Sequence, residues 1–177
     1  MNTRYYQVGG FTIQVHSELP ITEDTFHPKL KIFEVDGPGE QDNIVINHYF
    51  TRKSPVEVTE KQRIYFKQPW AIFEKEDHIL YEWLSSDKQL DGDSGVMRKI
   101  AANRQHTRFD IYNGSTLAGV FRKGTLQDIT LLPTDQILLC RVLGYHHGCL
   151  VHSLGLIHKE NGYLFIGHSG AGKTTLA

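Results

Sequence analysis

Gly167-His168-Ser169-Gly170-Ala171-Gly172-Lys173-Thr174 is the stretch of this chain with the clearest chemistry. It fits G-x-x-x-x-G-K-[ST] at every fixed position. Glycines let a backbone curl with its N–H groups pointing inward. Such a nest, with the N-terminus of a following helix, holds phosphate oxygens. On this reading Lys173 reaches the β- and γ-phosphates, the Thr174 hydroxyl binds Mg²⁺, and the metal bridges phosphate oxygens. The expected nucleotide-binding set is Gly167, His168, Ser169, Gly170, Ala171, Gly172, Lys173, Thr174 and Thr175. The expected ligands are ATP and Mg²⁺, and no residue takes a catalytic role.

Other constellations carry less. Of the ten histidines, five fall between His146 and His168. His146, His147, Cys149 and His152 lack the paired spacing of zinc ligands, which favours helix-end and strand histidines over a metal site. Cys140 reads as a small buried helix residue, and Cys149 has no base that sequence can orient towards it. Trp70, Phe73, Tyr81 and Trp83 read as core packing, because Glu74, Glu76, Asp77 and Glu82 make the region acidic and unsuited to nucleic acid. A phosphotransfer site also needs a metal-holding carboxylate. Asp110 reads as a mid-strand surface residue and Asp135 as a helix-start residue.

The elements around these residues are mostly strands. Residues 4–8 and 11–15 flank Gly9-Gly10, a hairpin signal. Phe11, Ile13 and Val15 alternate with polar residues at the period of a half-buried strand. Residues 29–35 and 43–50 are further β-rich runs, separated by the breakers of 36–42. Residues 70–75 and 78–84 make a hairpin around Glu76-Asp77, and 108–112 is a strand ending at Asn113-Gly114. Residues 51–61 and 85–95 read as less ordered, and 121–125 as a short basic turn.

The character changes near residue 130. A helix is expected over 136–147, starting at Pro133 or Thr134, with Asp135 in its first turn. Leu138, Leu139, Val142 and Leu143 form its apolar face, and Gly148 stops it. Short buried strands are expected at 149–153, 155–158 and 163–166, the last two joined by a turn at Glu160-Asn161-Gly162. Two domains follow: a β-rich part over 1–130, and the start of a phosphate-loop domain over 131–177. The fold class is α+β or α/β, with antiparallel strands leading into a phosphate-loop α/β domain.

Composition narrows the class. Lys+Arg is 19 and Asp+Glu is 20, giving a formal charge of −1. That balance lacks the basic excess of a general binder of nucleic acid or acidic membranes. Apolar residues at 40% supply a packed core, and no run approaches the roughly 20 apolar residues of a membrane span. The polar N-terminus lacks the apolar stretch of a signal peptide. Two cysteines give no disulfide framework. The expectation is a soluble, cytoplasmic protein that binds neither nucleic acid nor membrane.

Gly167-His168-Ser169-Gly170-Ala171-Gly172-Lys173-Thr174-Thr175-Leu176 resembles the phosphate loop of the HPr kinase and ATP-dependent phosphoenolpyruvate carboxykinase superfamily. His147-Gly148-Cys149-Leu150-Val151, Gly155, and Tyr163-Leu164-Phe165-Ile166-Gly167 look like the lead-in to that loop in bacterial HPr kinase/phosphorylase. The link at 156–162 is longer than the family's. This likeness covers roughly residues 130–177. The β-rich remainder resembles the upstream region of HPr-kinase-like proteins, some of which accompany peptide-modification systems.

The resemblance implies an ATP-binding kinase acting on a protein, a peptide or a small molecule, and it implies homo-oligomers. Three departures put HPr itself in doubt as the substrate, the first being that the first half of the chain does not look like the usual HPr kinase N-terminal domain. The family's acidic base and metal residues follow the loop, whereas this sequence stops four residues after Lys173. His168 also replaces an acidic residue beside the loop. The expectation is a polypeptide cut at the start of its loop helix, without phosphotransferase turnover.

Two alternatives stay open. Transporter-type ATPases share G-x-S-G-x-G-K-[ST]-T-L, but place the loop after about 40 residues of their own domain. A non-enzymatic module with a vestigial loop would instead bind a peptide or protein along an exposed strand edge.

Overall fold

The structure is a computed structural model that describes residues 2–40, 43–51, 53–85, 95–130, 135–168 and 170–175. Two compact units are found, Met1–Leu138 and Leu139–Ala177.

The first unit is built on a nine-stranded mixed sheet of order β3-β1-β2-β4-β9-β8-β7-β6-β5. Its first hairpin is β1 (Thr3–Val8) and β2 (Phe11–Ser17), in register from Thr3↔His16 to Val8↔Phe11. Gly9 and Gly10 turn between them at φ 58° and 89°, the left-handed backbone a two-residue hairpin requires. Residues 29–35 depart from the β expectation: Pro28–Phe33 is a 3₁₀ turn, leaving β3 as Glu34–Val35 alone. Pro28 has a fixed φ and no N–H, and the His27 side chain accepts from Lys29 N, which together favour a helical start.

The strands are not all antiparallel as expected. β4 (Asn43–Tyr49) pairs in parallel with β2, and β9 (Arg108–Asn113) pairs in parallel with β4. Parallel neighbours need long crossovers. Residues 18–42 make the first one, and the second is the antiparallel meander β5 (Arg63–Lys67), β6 (Trp70–Lys75), β7 (His78–Leu84) and β8 (Val96–Asn103). β6 and β7 close around Glu76-Asp77 as their sequence indicates. Residues 86–94 of the stretch read as less ordered lie outside the described residues, as do Pro133 and Thr134.

One face of the sheet carries Tyr6, Ile13, Ile44, Ile46, Phe109, Ile111, Ile100 and Tyr81, all buried. Phe121 and Phe26 pack there edge-on, with Phe26 against Tyr6 and Phe121 against Phe50. Phe121 comes from helix α1 (Ser115–Lys123), so the basic turn expected at 121–125 is the end of a helix. Gly124 stops α1 at φ 80°. A second, smaller core of Ala71, Phe73 and Leu80 packs with Val56, Val58 and Leu84. Along the hairpin, Trp70 lies opposite Trp83. Phe73 and Tyr81 are buried, and the two tryptophans are half-buried.

Helix α2 (Asp135–Tyr145) buries Leu138 and Val142 of its apolar face. It ends on a left-handed residue, but that residue is His147 at φ 56° rather than Gly148. The Gly148 N–H reaches back to the Leu143 carbonyl at 2.7 Å, as in a Schellman cap. Cys140 is exposed, not buried, because it lies off the stripe that Leu138 and Val142 define.

The second unit corrects the expected fold class. The loop strand belongs to no parallel sheet: β11 (Asn161–Ile166) pairs antiparallel with β10 (Ser153–His158) in a two-stranded sheet of its own. The structure is therefore mostly β, and it does not show a phosphate-loop α/β domain. Of the strand expected at 149–153, only Ser153 is in a strand. The turn residues are Lys159 and Glu160, at φ 48° and 66°, one step earlier than expected. The expected burial also fails. Ile157, Leu164 and Ile166 are 83%, 67% and 71% exposed, since a two-stranded sheet has two open faces. Among the described residues no helix is long and apolar enough to cross a membrane.

Candidate functional site

β11 runs straight into the loop, so the expected phosphate-binding residues follow a strand end. Gly167 is half-buried, while His168, Gly170, Ala171, Gly172 and Thr175 are exposed. Gly170 and Gly172 have φ of 83° and 77°, a backbone that side-chain-bearing residues rarely adopt. Ala171 N–H donates to the His168 carbonyl at 3.2 Å, and Thr175 N–H to the Gly172 carbonyl at 3.0 Å. Lys173 closes the ring. Its Nζ donates to the carbonyls of Gly167 at 2.8 Å and His168 at 2.9 Å. The ammonium thus lies within the loop's own curl. Lys173, Thr174 and Thr175 form one 3₁₀ turn rather than an α-helix start. Ser169 lies outside the described residues.

The structure also gathers a buried polar cluster in the first unit that motif reading misses. Arg98 on β8 lies opposite Asn113 on β9, and its Nε donates to Asn113 Oδ1 at 3.1 Å. Asn113 Nδ2 donates to the Tyr49 carbonyl at 3.1 Å and lies 3.5 Å from His48 Nδ1. His48 Nε2 donates to the Ile129 carbonyl at 2.9 Å. Asp135 then accepts from Ile129 N–H and Thr130 N–H, each at 2.9 Å, and from the Thr130 hydroxyl. A period-two reading of 96–102 would have put Arg98 on the same face as Ile100 and Ala102, which was the signal available.

Burial sets the charge states here. It pushes the His48 imidazole down to about 3, helped by the Arg98 charge and opposed by the bond to Ile129. His48 is therefore neutral, with its proton on Nε2. Burial pushes Asp135 up to about 6 against the hydrogen bonds from Thr130 and Ile129, and Asp128 adds to the rise. Arg98 falls to about 9, chiefly by burial, with Asp135 and Asp128 holding it up; it stays protonated at neutral pH. Arg98, His48 and Thr130 are each about 1% exposed, so the cluster is sealed from substrate. Its chemistry is that of a clamp, tying Ile129, and with it Thr130 and Asp135, to the sheet.

Asp110 is half-buried on β9, accepting from Asn47 Nδ2 at 2.7 Å and from Arg108. His146, His147, Cys149 and His152 are exposed. Among the described residues no group of three or more His, Cys, Asp or Glu side chains gathers as metal ligands. A scan against family models, a search of curated proteins and a search of solved structures each return no match for this chain.

Proposed function

We propose that residues 167–175 bind the phosphates of ATP together with Mg²⁺. In this reading the chain is the nucleotide-binding part of an HPr-kinase-like kinase that phosphorylates a protein, a peptide or a small molecule. The observation that carries it is Lys173. Its ammonium rests on the Gly167 and His168 carbonyls at 2.8 and 2.9 Å. An anionic phosphate is a stronger partner for an ammonium than a neutral carbonyl. The nucleotide therefore replaces these two acceptors without the lysine leaving the loop. Gly170 and Gly172, both at positive φ, carry no Cβ at the backbone that a phosphate must approach. By its place in the motif, Thr174 is the residue for Mg²⁺. Bound Mg²⁺ would neutralise phosphate charge, and Lys173 would hold the phosphate oxygens in place.

Titration calorimetry of the full chain with Mg²⁺ and ATP tests this. Binding is expected, and Lys173→Ala is expected to weaken it at least tenfold. Absence of heat with the unaltered chain overturns the proposal. Steady ATP turnover that Lys173→Ala abolishes would overturn the narrower expectation that these residues bind nucleotide without transferring phosphate.

A further inference from the structure

The nine-stranded sheet ends in two very different edges. At one end β3 contributes only Glu34 and Val35. At the other end β5 presents five residues, Arg63–Lys67, every one exposed. Ile64, Tyr65 and Phe66 are 58%, 46% and 56% exposed. Proteins usually blunt such an edge, because its unpaired N–H and C=O groups template another strand. β5 is only partly blunted. A bulge between Arg63 and Tyr65 breaks the register there, leaving Tyr65–Lys67 as the regular part. Phe66 pairs with Ala71 and Lys67 with Trp70, so Tyr65 and Phe66 point to opposite faces.

Charge selects the occupant. Lys61, Arg63 and Lys67 are exposed along this edge. The opposing charge nearby is Glu60, which pairs with Arg63 at 2.6 Å. The Arg63 guanidinium also lies 5.0 Å from the Phe66 ring centroid. A second copy of the chain fits badly. Two β5 strands paired antiparallel about Tyr65 would set Arg63 opposite Lys67 twice, and like charges directly opposite are destabilising. An acidic strand would meet opposite charge at both ends instead.

From these features we infer that the β5 edge binds an extended, acidic peptide segment of a partner protein by strand addition along Tyr65–Lys67. Backbone hydrogen bonds supply affinity, Tyr65 and Phe66 supply apolar contact on the two faces, and the flanking cations supply selectivity. This site is independent of the phosphate loop.

Fluorescence anisotropy of the full chain with two dye-labelled heptapeptides tests it, one alternating Glu and Val, the other Lys and Val. The acidic peptide is expected to bind at least tenfold tighter, and added salt to weaken it. The double variant Arg63→Glu, Lys67→Glu is expected to reverse the preference, with Lys31→Glu as a surface control that leaves it unchanged. Circular dichroism of each variant checks that the fold persists, and Lys67→Glu alone serves if the double variant unfolds. Equal binding of the two peptides, or unchanged affinity after charge reversal, overturns the inference. A concentration-dependent dimer in ultracentrifugation that Tyr65→Glu abolishes also overturns it, since the edge would then belong to a second copy.

Discussion

His48 on β4 donates from Nε2 to the carbonyl of Ile129, 81 residues away, at 2.9 Å. This single bond fixes Ile129 onto the centre of the sheet. A carbonyl buried there without a donor costs about 1–3 kcal/mol. His48→Leu is therefore expected to lower unfolding free energy by about that amount at pH 7. Urea denaturation would measure it.

His48 also sets an acid limb. Its folded value of about 3 lies below its ordinary 6.5. The folded state binds fewer protons than the unfolded one between those values, so stability is full above pH 6.5 and declines as pH falls towards 3. In His48→Leu this decline should be shallower. An unchanged slope of urea midpoint against pH would contradict the neutral, buried imidazole.

Asp135 acts with the opposite sign. Its folded value of about 6 lies above its ordinary 3.8. It contributes stability that is complete below 3.8 and lost as pH rises through 6. Asp135→Asn removes that titration. The difference in stability, wild type minus variant, should grow as pH is lowered from 7 to 4. A constant difference across this range would refute the assignment.

Gly124 is predicted to tolerate no side chain. Its φ is 80° and ψ is −167°, and an added Cβ would lie 2.4 Å from the Asp24 carbonyl oxygen. The Thr125 N–H bonds to that same oxygen at 2.7 Å, so the neighbour cannot simply move aside. Gly124→Ala should cost at least about 1–3 kcal/mol from backbone strain. A thermal-unfolding midpoint equal to wild type would show that the turn relaxes freely.

Lys173 should govern protection of the loop. In the unaltered chain, Mg²⁺ with ATP is expected to slow proteolytic cleavage within 167–175. Lys173→Ala should lose that protection while the first unit keeps its unfolding midpoint. Equal protection in both proteins would remove Lys173 from the phosphate site.

Local signals served well where a turn is made by adjacent residues. Gly9-Gly10 and Glu76-Asp77 mark their hairpins, because a short turn fixes the register of the strands it joins. β8 escaped notice because its buried face carries Arg98 beside Ile100 and Ala102, which masks the apolar alternation. α1 escaped because Gly119 sits mid-helix and only Leu117 and Phe121 are buried. The polar clamp was invisible as a motif, since His48, Arg98, Asn113 and Asp135 are brought together from distant parts of the chain.

The sequence alone determined the curl of the loop, because Gly170 and Gly172 take the positive φ that glycine adopts readily. It also determined the Gly9-Gly10 and Glu76-Asp77 turns, which depend on neighbouring φ angles. Only the tertiary structure decided that β2, β4 and β9 run parallel, that the loop strand lies in an antiparallel hairpin, and that a half-buried Asp135 accepts from Ile129 and Thr130. Those outcomes depend on pairings and burial between residues far apart in the chain, and local propensity carries no information about them.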